Sequence, residues 1–258
     1  MKLTPTALES FFYLADARKA DAAMEVDWTE LSEPATATRW LEAYRGYIGA
    51  PDADVAGTYF ASFLGAVSGG FHASLLLDGT ELSFGPGNVR AQLLGPNARP
   101  PMVAALAPSA RAPAADRSPA GELAAAARFY REAIRPIVEA ASAATGARAI
   151  DIWRLLATRL AYIEDAITER SDEETARRVR THFRSVATDI PGDAFGRSSN
   201  PLDVEHRFVP HPTAPGAVQR QKAACCLAYK TNHGYCYTCP RLSDDDRARK
   251  REAIVRTQ

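Results

Sequence analysis

All four cysteines of this 258-residue chain fall between Ala224 and Arg241, in the run ACCLAYKTNHGYCYTCPR. Cys225 and Cys226 are adjacent, nine residues separate them from Cys236, and two more residues lead to Cys239. A structural cysteine is ordinarily a small buried hydrophobe scattered through a core. Four thiols in one short segment instead predict a local metal centre, an iron–sulfur cluster or a disulfide pair. Whatever they hold must be closed by a loop, so this segment has to be a compact unit fastened to the rest of the fold.

The remaining sequence supplies the body to which it is fastened. At 46% hydrophobic and 24% charged residues the composition is that of a globular protein. Lys plus Arg equals Asp plus Glu at 31 each, which excludes a global field that would recruit nucleic acid or an anionic membrane. The first residues mix acids with apolar side chains and do not read as a signal peptide, and no apolar run reads as a bilayer span. A cytoplasmic protein is therefore expected. Persistent disulfides are rare there, which favours the metal reading of the cysteines.

The expected fold class is α+β, mostly helical with a small antiparallel sheet and a C-terminal cluster-binding segment. Thr4-Pro5 opens a helix, and Ser32-Glu33-Pro34 opens a second carrying Trp40, Leu41 and Tyr44. A third, Val55–Ala66, is expected to stop at Gly69-Gly70. Phe71–Leu77 then reads as a strand, Asp78-Gly79 as a hairpin turn, Thr80–Phe84 as the returning strand, and Val89, Ala91 and Leu93 as a third. His72 falls in the first of these strands, with no partner nearby in sequence. Within the Pro-rich stretch near 95–119, Met102–Leu106 reads as a short helix.

Ser118-Pro119 begins a long helix that Pro136 should kink and Gly146 should end. Ala149–Arg170 has the strongest helical stripe, and Ser171 with Glu174 reads as a capping box for a further helix. That helix bears Arg177, Arg178, Arg180 and Arg184 on its outer side, either as a solvated face or as a basic wall for an anion. The expected organisation is a body over 1–190, an irregular connection over 191–217 and the cysteine-bearing segment over 218–258. In the tail Leu242–Gln258, Ser243 and three aspartates precede a basic helix, a polarity that stabilises it and also offers a docking surface for an acidic electron donor.

Cys236-Tyr-Thr-Cys239 is a knuckle that can place two thiolates on one metal ion. The adjacent pair is harder to fit to a single ion, because neighbouring residues of an extended chain point to opposite sides. A two-iron cluster accepts thiolates from a wider angle, so [2Fe–2S] leads, with a zinc site and a redox disulfide as alternatives.

The segment KAACCLAYKTNHGYCYTCP resembles the C-terminal signature of FhuF-like ferric-siderophore reductases. Lys222, Cys225-Cys226, Leu227, Tyr229, Cys236, Cys239 and Pro240 occupy the places of that signature. The family has ten residues between pair and knuckle, and this chain has nine. The match covers only the C-terminal end. The resemblance implies a [2Fe–2S] cluster on Cys225, Cys226, Cys236 and Cys239, and one-electron reduction of a cytoplasmic ferric siderophore. It also implies a separate donor such as a ferredoxin, flavodoxin or flavin reductase, since no dinucleotide fingerprint or phosphate loop is present. Lys222, Arg220, Arg184 and Arg180 are the candidate substrate-binding cations. The competing expectation is a siderophore-binding or iron-chaperone module stapled by zinc, without redox activity.

Overall fold

The structure, a computed structural model, describes residues 3–256. Its first helix α1 (Pro5–Phe12) is capped by the Thr4 hydroxyl, which accepts from the Ala7 amide, and turns into strand β1 (Leu14–Ala15) through Tyr13 in the left-handed region. Strand β2 (Met24–Asp27) leads through a capped 3-10 turn to α2 (Pro34–Tyr47). The next helix, α3 (Ala53–Ala73), is buried almost all round, the pattern of a helix at the centre of a core.

Three sequence expectations fail together here. Gly69-Gly70 do not stop α3, and Phe71–Leu77 is not a strand: the helix runs on through it and widens into a π turn, Ser74–Asp78. Asp78-Gly79 is consequently the end of that turn, with Gly79 left-handed, and not a hairpin. The reason is tertiary. A Cβ on Gly69 would sit 2.2 Å from Ile163 Cδ1, and one on Gly70 would sit 2.4 Å from Leu14 Cδ1, so these glycines serve close helix packing. Ala53–Asp78 is also long and apolar enough to span a bilayer, contrary to expectation, but 89% of its most apolar window is buried within the protein.

Strand β3 (Thr80–Leu82) follows, then β4 (Val89–Leu93), β5 (Met102–Leu106) and β6 (Arg111–Pro113). Met102–Leu106 is thus a strand and not a short helix; all five residues are buried, and a strand covered on both faces shows no alternation. The main sheet has the order β1-β5-β4-β2, antiparallel except for β1 on β5, with Val89 opposite Leu106 and Met24 opposite Leu93. β3 pairs with β6, so no meander forms from 71 to 93.

Helix α4 (Pro119–Phe129) passes through a π turn, Tyr130–Ile134, into α5 (Arg135–Thr145), which Gly146 ends. The widened turn falls immediately before Pro136, whose ring would otherwise crowd the carbonyl four residues back. Next come α6 (Ala149–Thr168) and α7 (Glu173–Thr188). Asp172, one residue beyond the expected Ser171, caps α7 by accepting from the Thr175 amide. The stretch after α7 is mostly irregular and ends in a small hairpin of β7 (Phe208–Pro210) with β8 (Val218–Arg220). The final helix α8 (Asp244–Arg256) starts at the Ser243 hydroxyl, which accepts from the Asp246 amide. The last two residues of the expected tail helix lie outside the described residues.

His72 is in α3, not in a strand, and it has partners. Its Nε2 lies 2.8 Å from the Tyr130 hydroxyl and its Nδ1 lies 3.0 Å from Nε2 of His182. Glu122 stands behind His182 and pairs with Arg178, whose guanidinium also donates to the Leu76 carbonyl at the end of the α3 extension. The expected outer face of α7 therefore contributes one of its arginines to a cross-link between helices.

Candidate functional site

The cysteine segment is fastened to α3 and α6. The Thr58 hydroxyl donates to the Cys226 carbonyl at 2.9 Å, the Ala223 amide donates to Thr158 Oγ1 at 3.0 Å, and the Tyr162 hydroxyl donates to the Arg220 carbonyl at 2.8 Å. Lys230 adds ion pairs of 2.9 and 2.8 Å to Asp52 and Asp54 at the start of α3. Behind the segment α8 presents Arg247, which is 4% exposed and donates to the carbonyls of Tyr237, Cys239 and Leu242. A loop carrying this many backbone carbonyls inward needs such a donor, since unpaired buried carbonyls are costly.

The four sulfurs come together as two pairs. Cys225 Sγ and Cys239 Sγ are 3.6 Å apart, and Cys236 stands near enough to Cys226 to lower its thiol. Leu227, with φ of 61°, is left-handed, and this bend solves the problem of adjacent cysteines. After it, the Leu227 amide donates to Cys225 Sγ at 3.4 Å, and the Ala228 amide serves Cys226. Successive amides thus face successive sulfurs, an arrangement that concentrates positive backbone dipole on a small anionic group. Among the described residues, no group of three His, Cys, Asp or Glu converges in the way that encloses a single ion.

The two pairs differ in surroundings. Cys239 is buried, at 2% exposure, whereas Cys226 and Cys236 form part of the wall of a cavity of about 460 Å³. Lys222 reaches into the same place, its Nζ 3.3 Å from Cys226 Sγ. The neighbouring Cys236, with help from the Lys222 ammonium and against the effect of burial, pulls the Cys226 thiol down to about 5. The reciprocal contact and burial hold Cys236 far above the usual thiol range. The surroundings thus favour the thiolate form at Cys226 and disfavour it at Cys236. Burial pushes the Cys225 thiol up to about 11. Burial alone would lower Lys222, but the sulfurs of Cys226 and Cys236 outweigh it and raise the ammonium above its ordinary range.

The rest of that cavity is cationic and phenolic. Arg159 from α6 and Lys250 from α8 line it with Lys222, and Tyr59, Tyr162 and Tyr235 complete much of the wall; no carboxylate does. Arg159 donates to the Phe11 carbonyl at 3.0 Å, which leaves its buried Nε without a partner. Lys250 has no carboxylate partner among the described residues. His233 is exposed and lines the same cavity.

The structure separates the four expected substrate cations. Lys222 lines the cysteine cavity, while Arg180, Arg184 and Arg220 line a different one on the far side of β8. Arg159 and the phenols gave no signal in sequence, because each is an ordinary polar residue on a helix or loop whose neighbours come from other elements; Lys250 was legible only as part of the basic tail helix, not as lining this cavity. No family model matches this sequence, and a search of curated proteins finds no match.

Proposed function

We propose that the chain is a ferric-siderophore reductase of the FhuF-like kind, working through a [2Fe–2S] cluster held by its four cysteines. The observation that carries this reading is the pairing of the sulfurs beside a cationic cavity without acids. Two thiolates on one tetrahedral metal, with metal–sulfur bonds of about 2.3 Å, lie about 3.8 Å apart. The 3.6 Å of Cys225 and Cys239 fits that spacing. Cys225 with Cys239 would hold one iron, and Cys226 with Cys236 the other. The Leu227 and Ala228 amides and Lys222 offset the negative charge that such a donor set carries.

When bound, the cluster would supply one electron at a time. The chain's own residues do the rest. Lys222, Arg159 and Lys250 would draw an anionic ferric siderophore to the open sulfur pair, and the unpartnered Arg159 Nε would donate to it. Tyr59 and Tyr162, whose phenols are raised by burial, remain protonated donors at neutral pH. Siderophores grip ferric iron through hard oxygen donors, so one electron delivered to the bound iron weakens the complex and releases ferrous iron. The electron would come from a separate protein, a ferredoxin, flavodoxin or flavin reductase, in a cytoplasmic setting that keeps thiols reduced.

The test is anaerobic reconstitution with iron and sulfide, followed by visible spectra before dithionite, after it, and after a ferric siderophore with a ferrous-iron trap. A reducible chromophore that Cys236→Ser and Cys239→Ser abolish, and that yields trapped ferrous iron, is expected. A colourless protein that binds zinc in one-to-one ratio would replace this reading with the zinc-stapled binding module. A visible spectrum that survives replacement of all four cysteines by serine would remove the cluster assignment.

A further inference from the structure

Arg180, Arg184 and Arg220 line a cavity of about 300 Å³ between α6, α7, the 202–206 segment and β8. Its floor is apolar, built by Ala157, Leu160 and Ala161 of α6, Phe183 of α7, and Leu202 with Val204. Its polar lining consists of the three guanidinium groups, His206, Glu164, Asp203 and Thr188. Two buried nitrogens there have no hydrogen-bond partner, Arg220 Nε and His206 Nδ1. Buried polar atoms in a folded protein are nearly always satisfied, so two at one cavity point to a group that completes them.

The charges around them are partly committed. Arg220 spends one terminal nitrogen on Asp165 at 2.9 Å, and Arg180 pairs with Glu173 at 2.9 Å. Arg184 has no carboxylate partner among the described residues. Burial, and then Arg220, pull His206 down to about 4, so its imidazole is neutral and free to place a proton on Nδ1. Burial, with Asp165 beside it, pushes the Glu164 carboxyl up to about 7 against the pull of the three arginines. Near neutrality Glu164 is therefore partly un-ionised and able to donate.

We propose that this cavity is a second binding site, for a compact organic carboxylate: Arg184, Arg220 Nε and His206 Nδ1 take the carboxylate, and the α6–α7 floor takes an apolar body. A bare oxyanion would leave the six floor side chains uncovered, and a neutral apolar molecule would leave both orphan nitrogens unpaired. The volume suits a single ring or a short branched chain, at the lower end of small-molecule pockets. Tyr162 forms the partition, since it lines the cysteine cavity and its hydroxyl donates to the Arg220 carbonyl.

Benzoate is the probe, titrated into the full chain at pH 7 by calorimetry and by saturation-transfer NMR, with benzyl alcohol and inorganic phosphate as comparators. Saturable benzoate binding is expected, weakened about tenfold in Arg184→Ala by loss of one charge-assisted hydrogen bond and unchanged in Arg159→Ala, whose side chain lies in the other cavity. Arg184 is exposed, so its removal should leave the unfolding temperature intact. The site assignment fails if benzyl alcohol binds as tightly as benzoate, or if phosphate binds at least as well. It also fails if Arg184→Ala retains benzoate affinity, if Arg159→Ala loses it, or if no binding is seen up to about 10 mM.

Discussion

Replacing Lys222 with glutamine removes the nearest cation from the open sulfur pair while keeping a polar side chain only one heavy atom shorter. The ammonium lies 3.3 Å from Cys226 Sγ. Two unit charges at that distance interact by about 5 kcal/mol at an effective dielectric of about 20. An electron added to a cluster is spread over a larger and more distant volume than one sulfur, which leaves about half of that, about 2.5 kcal/mol. For a one-electron couple this is about 100 mV. Lys222→Gln is therefore expected to lower the reduction potential by about 100 mV, measured by dye-mediated titration of the visible absorption of the reconstituted protein. Lys222→Arg should restore most of the shift, and Lys250→Gln, which removes a cation with no sulfur contact, should give a smaller one. The same Lys222→Gln protein should show a larger rise in apparent KM for an anionic ferric siderophore than for a neutral one. A shift below about 20 mV with an intact spectrum would refute the electrostatic role and leave Lys222 as a structural strut.

Three further outcomes follow from other parts of the fold. The buried His182 has its pKa pulled down to about 4 by burial and Arg178, so the unfolded chain takes up the proton first as pH falls; stability is full above about 6.5 and declines toward 4. Urea unfolding should show His182 contributing about 2 kcal/mol of lost stability between pH 7.5 and 5, and His182→Gln should have a pH dependence smaller by that amount. Equal pH profiles in the two proteins would exclude it. Arg247→Met removes a donor from the carbonyls of Tyr237, Cys239 and Leu242, of which Cys239 keeps the Leu242 amide and Gln221, and a loss of about 3 kcal/mol in thermal unfolding, with poorer iron uptake, is expected. Gly65→Ala places a Cβ 2.7 Å from Arg159 Cβ; it should destabilise by about 1–3 kcal/mol and raise the siderophore KM by displacing Arg159.

The helices with a polar side and a capping residue were legible from sequence: α1 at Thr4-Pro5, α2 at Pro34, α6, and α8 after Ser243. Periodicity and caps are local properties, and these elements obey them. Met102–Leu106 and Phe71–Leu77 were exchanged in type because both are buried on every side, so neither shows the alternation or stripe that separates strand from helix. Gly69-Gly70 looked like punctuation because their role, admitting Ile163 and Leu14, depends on chain distant in sequence. The four cysteines could be singled out from spacing alone, but not their division into pairs, which depends on the left-handed Leu227. The partners of His72 are not legible locally because they lie 58 and 110 residues away. The arginines of α7 could be noticed as a group but not assigned to a cavity, since the floor they face comes from α6 and the 202–206 segment.

The bonds that seat the cysteine segment span most of the chain: Thr58 to Cys226 is 168 residues, and Asp54 to Lys230 is 176. A ribosome makes α3 and α6 long before it makes the thiols, and the seat for the thiols consists of side chains on those two helices. Assembly therefore has an order. The body can collapse around α3 before any of these four thiols is made, so none of them can cross-link or oxidise during that stage. The sulfurs then meet a surface that is already shaped, and α8, emerging last of the described elements, brings Arg247 to latch the loop from behind. A truncated or stalled chain would carry a sound core without the thiols, and a lesion in α3 or α6 would leave the four thiols without their seat.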